Sequence, residues 1–150
     1  MAVGLRYVPD RDEAQDVVQD SFVKILTSVS KFRPHEEGSL KSWVAKIVSN
    51  TAIDYLKRQS CIMFSDHFPD EPDEQEPEVM SVPPDVLTAM IGRLPDGYRM
   101  VFNMFVFEQR SHKEIAQQLG IKEGTSASQY ARARKLLARM INDYTHQQEI

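Results

Sequence analysis

The chain is poor in everything that would make a stapled, metal-bound or membrane-spanning protein. It has one cysteine, Cys61, so no internal disulfide can form. Zinc sites need several Cys or His at close spacing, and His35, His67, His112 and His146 are scattered. Neither a metal nor a cofactor is expected. No apolar run approaches the ~20 residues of a membrane span, and Met1 does not open a basic, apolar, small-residue signal pattern. The expectation is a cytoplasmic protein without membrane insertion. There is no phosphate-binding glycine loop and no nucleophile elbow. The acids concentrate in a proline-rich stretch that cannot hold two carboxylates at a fixed distance, so an enzyme is not expected. Alternation of strand period is missing at any useful length, which leaves an all-α fold.

What is present is enough apolar residue, 41% of 150, to build one core or two small ones. The net charge of −4 looks wrong for a nucleic-acid binder until it is divided along the chain. Residues 1–60 carry nine Lys or Arg against eight acids, and residues 93–150 carry nine against six. Residues 61–92 have eight acids and no base. Two mildly basic segments are joined by a strongly acidic one. Pro69, Pro72, Pro77, Pro83 and Pro84 interrupt any helix there, and like charges extend the chain. Residues 61–84 therefore read as a linker between lobes at 1–60 and 85–150. Its acids are either a solvated tether or a strand of negative charge that shares a basic groove with nucleic acid.

The C-terminal lobe holds the clearest motif. Ser111-His112-Lys113-Glu114 has the spacing of a capping box. Ile115, Ala116 and Leu119 then line one side of a short helix, Gly120 breaks it, and Glu123-Gly124-Thr125-Ser126 starts a longer one. Two helices joined by a short glycine-containing turn are the pattern of a helix-turn-helix. Tyr130, Ala133, Leu137, Met140 and Tyr144 recur on the second helix as its core face. Ala127, Ser128, Ala131, Arg132, Lys135 and Arg139 are left outward, with no acid between Glu123 and Asp143. Residues early in such a helix reach base edges, and basic residues further along reach phosphates. Two more helices precede it, one with Val86, Leu87, Met90, Ile91 and Leu94, the next starting at Pro95 with Tyr98, Val101, Phe102, Phe105 and Val106.

In the N-terminal lobe residues 1–8 are too few for a stable helix. Asp10 and Glu13 then stand at capping-box spacing before a helix over 11–28. Ala14, Val17, Val18, Phe22, Ile25, Leu26 and Val29 form its apolar series, with Asp12, Asp16, Gln19, Asp20 and Lys24 opposite. Ser39 is a candidate N-cap for a third helix. That helix carries Leu40, Trp43, Val44, Ile47, Val48, Thr51, Ala52, Tyr55 and Leu56 as a stripe, with Lys41, Lys46, Lys57 and Arg58 off it. Asn50 and Asp54 sit at the stripe's edge, where an amide is either bonded to backbone or available to a ligand.

These residues resemble a known family. Lys113-Glu114-Ile115-Ala116, Leu119-Gly120-Ile121, Glu123-Gly124-Thr125 and Arg132-Ala133-Arg134 look like region 4 of an extracytoplasmic-function sigma factor of bacterial RNA polymerase. Leu94-Pro95 and Tyr98-Arg99 match its start. Glu13-Ala14, Asp16, Gln19-Asp20 and Phe22, with Gly38-Ser39, Trp43, Ile47, Asn50, Asp54 and Lys57-Arg58, are similar to region 2. The resemblance implies a promoter-specificity subunit whose partners are core RNA polymerase, through the clamp helices of its largest subunit and its flap, and promoter DNA. It also admits an anti-sigma factor. Carried over by position, Asp16, Gln19, Asp20 and Phe22 bind polymerase. Trp43, Lys46, Asn50, Lys57 and Arg58 meet the melted −10 strand. Thr125, Ala127, Ser128, Ala131, Arg132, Lys135 and Arg139 meet the −35 duplex, and the acidic linker passes through the polymerase's nucleic-acid channel.

The chain departs from that family in two places. The helix before Pro9-Asp10 is short, so either the start lies further upstream or the first helix is curtailed. Ala127 and Ala131 stand where larger or basic residues are usual, which shifts −35 readout towards shape and phosphates. The competing reading is a stand-alone helix-turn-helix regulator whose N-terminal lobe dimerises or senses a ligand.

Overall fold

A computed structural model describes residues 2–34, 37–59, 64 and 76–149. The described residues form seven α-helices and no strand, divided into compact units at 1–61 and 62–150. The all-α expectation holds.

The first unit contains α1 (Ala2–Tyr7), α2 (Arg11–Ser28) and α3 (Ser39–Gln59). Asp10 caps α2, its carboxylate accepting from the Glu13 amide at 2.9 Å, which satisfies one orphan N–H of the first turn. Short α1 does form, against expectation. Six residues cannot hold a helix alone, but Tyr7 and the following Val8 are each 1% exposed, and burial against α2 and α3 supplies what length does not. Ala14, Val17, Ala52, Ile53 and Leu56 complete this core. Buried Ser21 and Thr51 are satisfied within their own helices, donating to the carbonyls of Val17 at 2.6 Å and Ile47 at 2.7 Å. Lys24 Nζ donates to Thr51 Oγ1 at 3.3 Å and ties α2 to α3.

Two expectations here need correction. Ser39 is the first helical residue of α3 and not its cap: the Gly38 carbonyl accepts from the Ser42 amide at 3.1 Å. Gly38 has φ +82°, a left-handed conformation that glycine adopts without steric cost. The α2 apolar series also divides. Ala14 and Val17 are buried, but Phe22, Leu26 and Val29 are exposed, together with Val23.

The second unit contains α4 (Pro84–Gly92), α5 (Asp96–Val106), α6 (His112–Leu119) and α7 (Glu123–Gln148). Pro95 caps α5 from just outside the helix rather than opening its first turn. Val82, Met90, Ile91, Leu94, Tyr98, Ala133, Leu137 and Ile141 form one core cluster, with Tyr144 packed against it. Met100, Val101, Met104 and Ile115 are fully buried beneath the helix-turn-helix. Arg99 is 4% exposed yet well matched, pairing with Asp96 and donating to the Leu94 carbonyl at 2.8 Å. A buried guanidinium needs such partners, and these fasten the α4–α5 corner.

Most of the expected linker, residues 61–63 and 65–75, lies outside the described residues. Its last part packs on the second unit: Val79–Ser81 form a single 3-10 turn and Val82 is 7% exposed. Phe64 also packs there, so close to Gly97 that a Cβ on that glycine would stand 3.2 Å from its ring. The described end of the acidic stretch is therefore part of a folded lobe.

Candidate nucleic-acid interface

Local chemistry builds the helix-turn-helix. The Ser111 hydroxyl accepts from the Glu114 amide at 3.1 Å, and the Glu114 carboxylate accepts from the Ser111 amide at 2.8 Å. The capping box is thus complete. Gly120 ends α6 at φ +68°, its amide donating to Ala116, and a three-residue turn leads into α7. The chain must reverse direction there in a left-handed step, which a side chain would strain.

On α7 the expected outward residues do share a face. Ala127 and Ala131 are exposed, while Thr125, Ser128, Arg132, Lys135 and Arg139 are half-buried. At 1.5 Å per residue the row from 125 to 139 is about 20 Å long. Ser128 donates to the Thr125 carbonyl at 3.1 Å, which leaves its oxygen lone pairs as acceptors. Arg134, at the side of this row, pairs with Glu76 at 3.4 Å. That contact brings the end of the acidic stretch onto α7. The opposite face differs in detail from expectation: Ala133 and Leu137 are buried as anticipated, Tyr130, Met140 and Tyr144 only half-buried, and Ser126, Gln129 and Ile141 complete the buried side.

In the first unit, Trp43, Lys46, Asn50 and Lys57 recur at three-, four- and seven-residue steps along one side of α3, with Arg58 at its margin. Trp43 is half-buried against Phe32, ring centroids 5.2 Å apart. Asn50 is half-buried, and Lys46, Lys57 and Arg58 are exposed. Arg58 donates from Nε to the Asp54 carbonyl at 3.3 Å. On α2 Asp16, Gln19 and Asp20 are exposed beside an apolar patch of Phe22, Val23, Leu26 and Val29, each more than half exposed. This acid-and-apolar face was only partly visible in the sequence, which gave Asp16, Gln19, Asp20 and Phe22 to a partner but read Leu26 and Val29 as core and left Val23 unassigned. Tyr55 ties α3 to the start of α2. Burial pushes its phenol above the ordinary value, and Glu13, which accepts its hydrogen bond, and Asp16 and Asp10 push in the same direction.

The second unit has an open groove of about 790 Å³ whose walls include Leu87, Ile91, Phe102, Val106 and Phe107. Periodicity marks all of these but Phe107 as an apolar face, and none of them as a surface left open. No group of three or more His, Cys, Asp or Glu suited to a metal occurs among the described residues. None of the described helices is long and apolar enough to cross a membrane.

Comparison with known proteins agrees with this layout. Residues 1–61 match the family model for sigma-70 region 2, and residues 85–137 match that for sigma-70 region 4. The chain is 34% identical over 131 residues to RNA polymerase sigma factor SigV of Bacillus subtilis, covering 87% of this chain and 77% of that one. It is 30% identical over 151 residues to the ECF RNA polymerase sigma-E factor of Haemophilus influenzae, covering 91% and 78% respectively. The fold resembles that of the sigma factor RpoE from Bartonella quintana, solved in complex with the anti-sigma factor NepR. That likeness has a TM-score of 0.59 at 23% identity, over 94% of this chain and 88% of that one. The chain therefore belongs to the sigma-70 family, as an extracytoplasmic-function sigma factor that directs promoter-specific initiation by RNA polymerase through its regions 2 and 4.

Proposed function

We propose that the two lobes divide promoter reading between them. Region 4, residues 85–150, reads the −35 element as duplex through Thr125, Ala127, Ser128, Ala131 and Arg132, with Lys135 and Arg139 on phosphates. Region 2, residues 1–60, captures the melted −10 strand with Trp43, Lys46, Asn50, Lys57 and Arg58, an amide bonding a base edge while cations hold the backbone. The observation that carries the reading is the row on α7 from Thr125 to Arg139, free of acids and held by a complete capping box and a left-handed Gly120.

The face on α2 that combines Asp16, Gln19 and Asp20 with Phe22, Val23 and Leu26 suits a basic, partly apolar coiled coil. We assign it to the clamp helices of the largest polymerase subunit. The groove beside Phe102 and Phe107 suits an apolar helix, and we assign it to the flap. The acidic stretch at 61–84 is the segment proposed to enter the nucleic-acid channel. An anti-sigma factor would compete for these same apolar surfaces, and the protein acts in the cytoplasm without chemistry of its own.

Asn50→Ala tests the −10 assignment. It is expected to slow open-complex formation, followed by permanganate reactivity of the melted strand, while affinity for core polymerase stays unchanged. Equal loss of folding and core binding would return Asn50 to a structural role.

A further inference from the structure

His112 occupies the first position of α6, directly after the Ser111 cap. Its ring lies almost parallel to Phe105 of α5, centroids 4.5 Å apart and planes 11° from parallel. It also meets Tyr130 of α7 at 5.9 Å, and Phe105 and Tyr130 touch each other at 4.4 Å. One imidazole therefore contacts the support helix and the reading helix together. Its Nδ1 stands 2.9 Å from Oγ of Ser126, a hydroxyl with 0% exposure at the start of α7. Either neutral tautomer keeps the bond, since a bare Nδ1 accepts from the hydroxyl and a protonated one donates to it.

The position of this bond matters. Glu123 and Gly124 open α7 exposed, and a Cβ on Gly124 would meet nothing within 4 Å. Ser126 is the first fully buried side chain of the helix, and it lies between Thr125 and Ala127. Whatever holds Ser126 inward fixes the rotation of the first turns about the helix axis. A helix advances by about 100° per residue, so a modest rotation swings Thr125, Ala127 and Ser128 off a base edge.

We propose that His112 is a positioning residue for promoter reading. Through Ser126, and through its stack on Phe105 and Tyr130, it sets how α7 presents its N-terminal residues to the −35 duplex. The inference rests on the assignment of −35 reading to α7.

The test uses holoenzyme assembled from full-length chain and core polymerase, with a promoter selected by the wild-type holoenzyme. Binding is compared on that promoter and on one with its −35 element scrambled; the ratio measures −35 discrimination. Ser126→Ala and His112→Phe, which keeps a ring but no nitrogen, are each expected to lower the ratio roughly fivefold. The double variant falls no further, because both changes remove one bond. Affinity for the scrambled promoter stays at the wild-type value. His112→Asn, which keeps a polar atom near the place of Nδ1, recovers part of the ratio. A wild-type ratio in both single variants, or an equal loss on the two promoters, would overturn the proposal. Arg132→Ala separates this failure from failure of the assignment beneath it. If Arg132→Ala also leaves the ratio untouched, α7 is not the −35 reader. If it collapses the ratio while the His112 and Ser126 variants do not, only the positioning role is lost.

Discussion

The two lobes use apolar residues differently. In the C-terminal lobe α7 buries Ala133 and Leu137 as its periodicity suggests, with Ile141 added by packing, and the cationic row lies on the other side. In the N-terminal lobe α2 is apolar around more than its core face. Ala14 and Val17 close the core, while Phe22, Val23, Leu26 and Val29 stay exposed. Monomeric proteins seldom leave a contiguous apolar patch of this kind without a partner for it. An apolar series at helical spacing shows that a face will be covered. Whether the cover comes from the same chain or from another protein depends on neighbours that the spacing does not reveal.

The sharpest way to break this comparison sets Ile53 against Leu26. Ile53→Ala, in the core at 0% exposure, is expected to lower stability by about 2–5 kcal/mol, measured by urea denaturation. Leu26→Ala, at 60% exposure, should stay within roughly 0.5 kcal/mol in the same assay. It should instead weaken binding to core polymerase by about 2 kcal/mol if it is a central contact. Equal destabilisation by the two variants would mean that α2 has no surface reserved for a partner.

Arg132→Ala comes next. A base contact is expected to contribute about 1–3 kcal/mol, with loss of preference at one position of the −35 element. A phosphate contact would instead weaken binding uniformly and reduce the salt slope. Holoenzyme binding to a library of single −35 substitutions at several salt concentrations separates these outcomes.

A smaller effect is expected at Gln109, between α5 and α6. It has φ +54°, a conformation that costs a residue with a Cβ about 1 kcal/mol. Gln109→Gly should raise the melting temperature, and the gain should stay within the C-terminal lobe. A lower melting temperature would mean that the Gln109 side chain contributes more than its backbone costs.

The smallest effect concerns Tyr55. Its phenol titrates above the ordinary value, so the folded state favours the protonated form. The associated stability is present at neutral pH and is lost as pH rises through the raised folded value. Tyr55→Phe should therefore flatten the decline in stability at strongly alkaline pH, followed by circular dichroism. An unchanged alkaline limb would show that Glu13 and Tyr55 are not coupled.

Much of the helical layout was legible because local rules decide it. Asp10 before Glu13 marked the start of α2, and Ser111, Glu114 and Gly120 bounded α6 through caps that depend on a few adjacent residues. Helix α1 was not legible as stable, because Tyr7 and Val8 are held by residues far along the chain. Ile53 was missed for a related reason. The α3 stripe placed Trp43 and Leu40 inward, but the buried side turns towards Ser49, Ala52, Ile53 and Leu56 where α1 and α2 press on it. Of the candidate site, the α7 row could be read from helical spacing, the preceding turn and the lack of acids together. The bond between His112 and Ser126 could not. Each is ordinary in its own helix, and only packing brings them together.

The measurement that tests the central claim most directly is transcription in vitro with purified core polymerase and a genomic library as template. A promoter-specificity subunit with two readers should co-purify with core. It should initiate at sites sharing two spaced elements, with alteration of either element reducing initiation. A chain that neither co-purifies with core nor directs initiation, and instead binds a palindromic duplex without polymerase, would contradict the account.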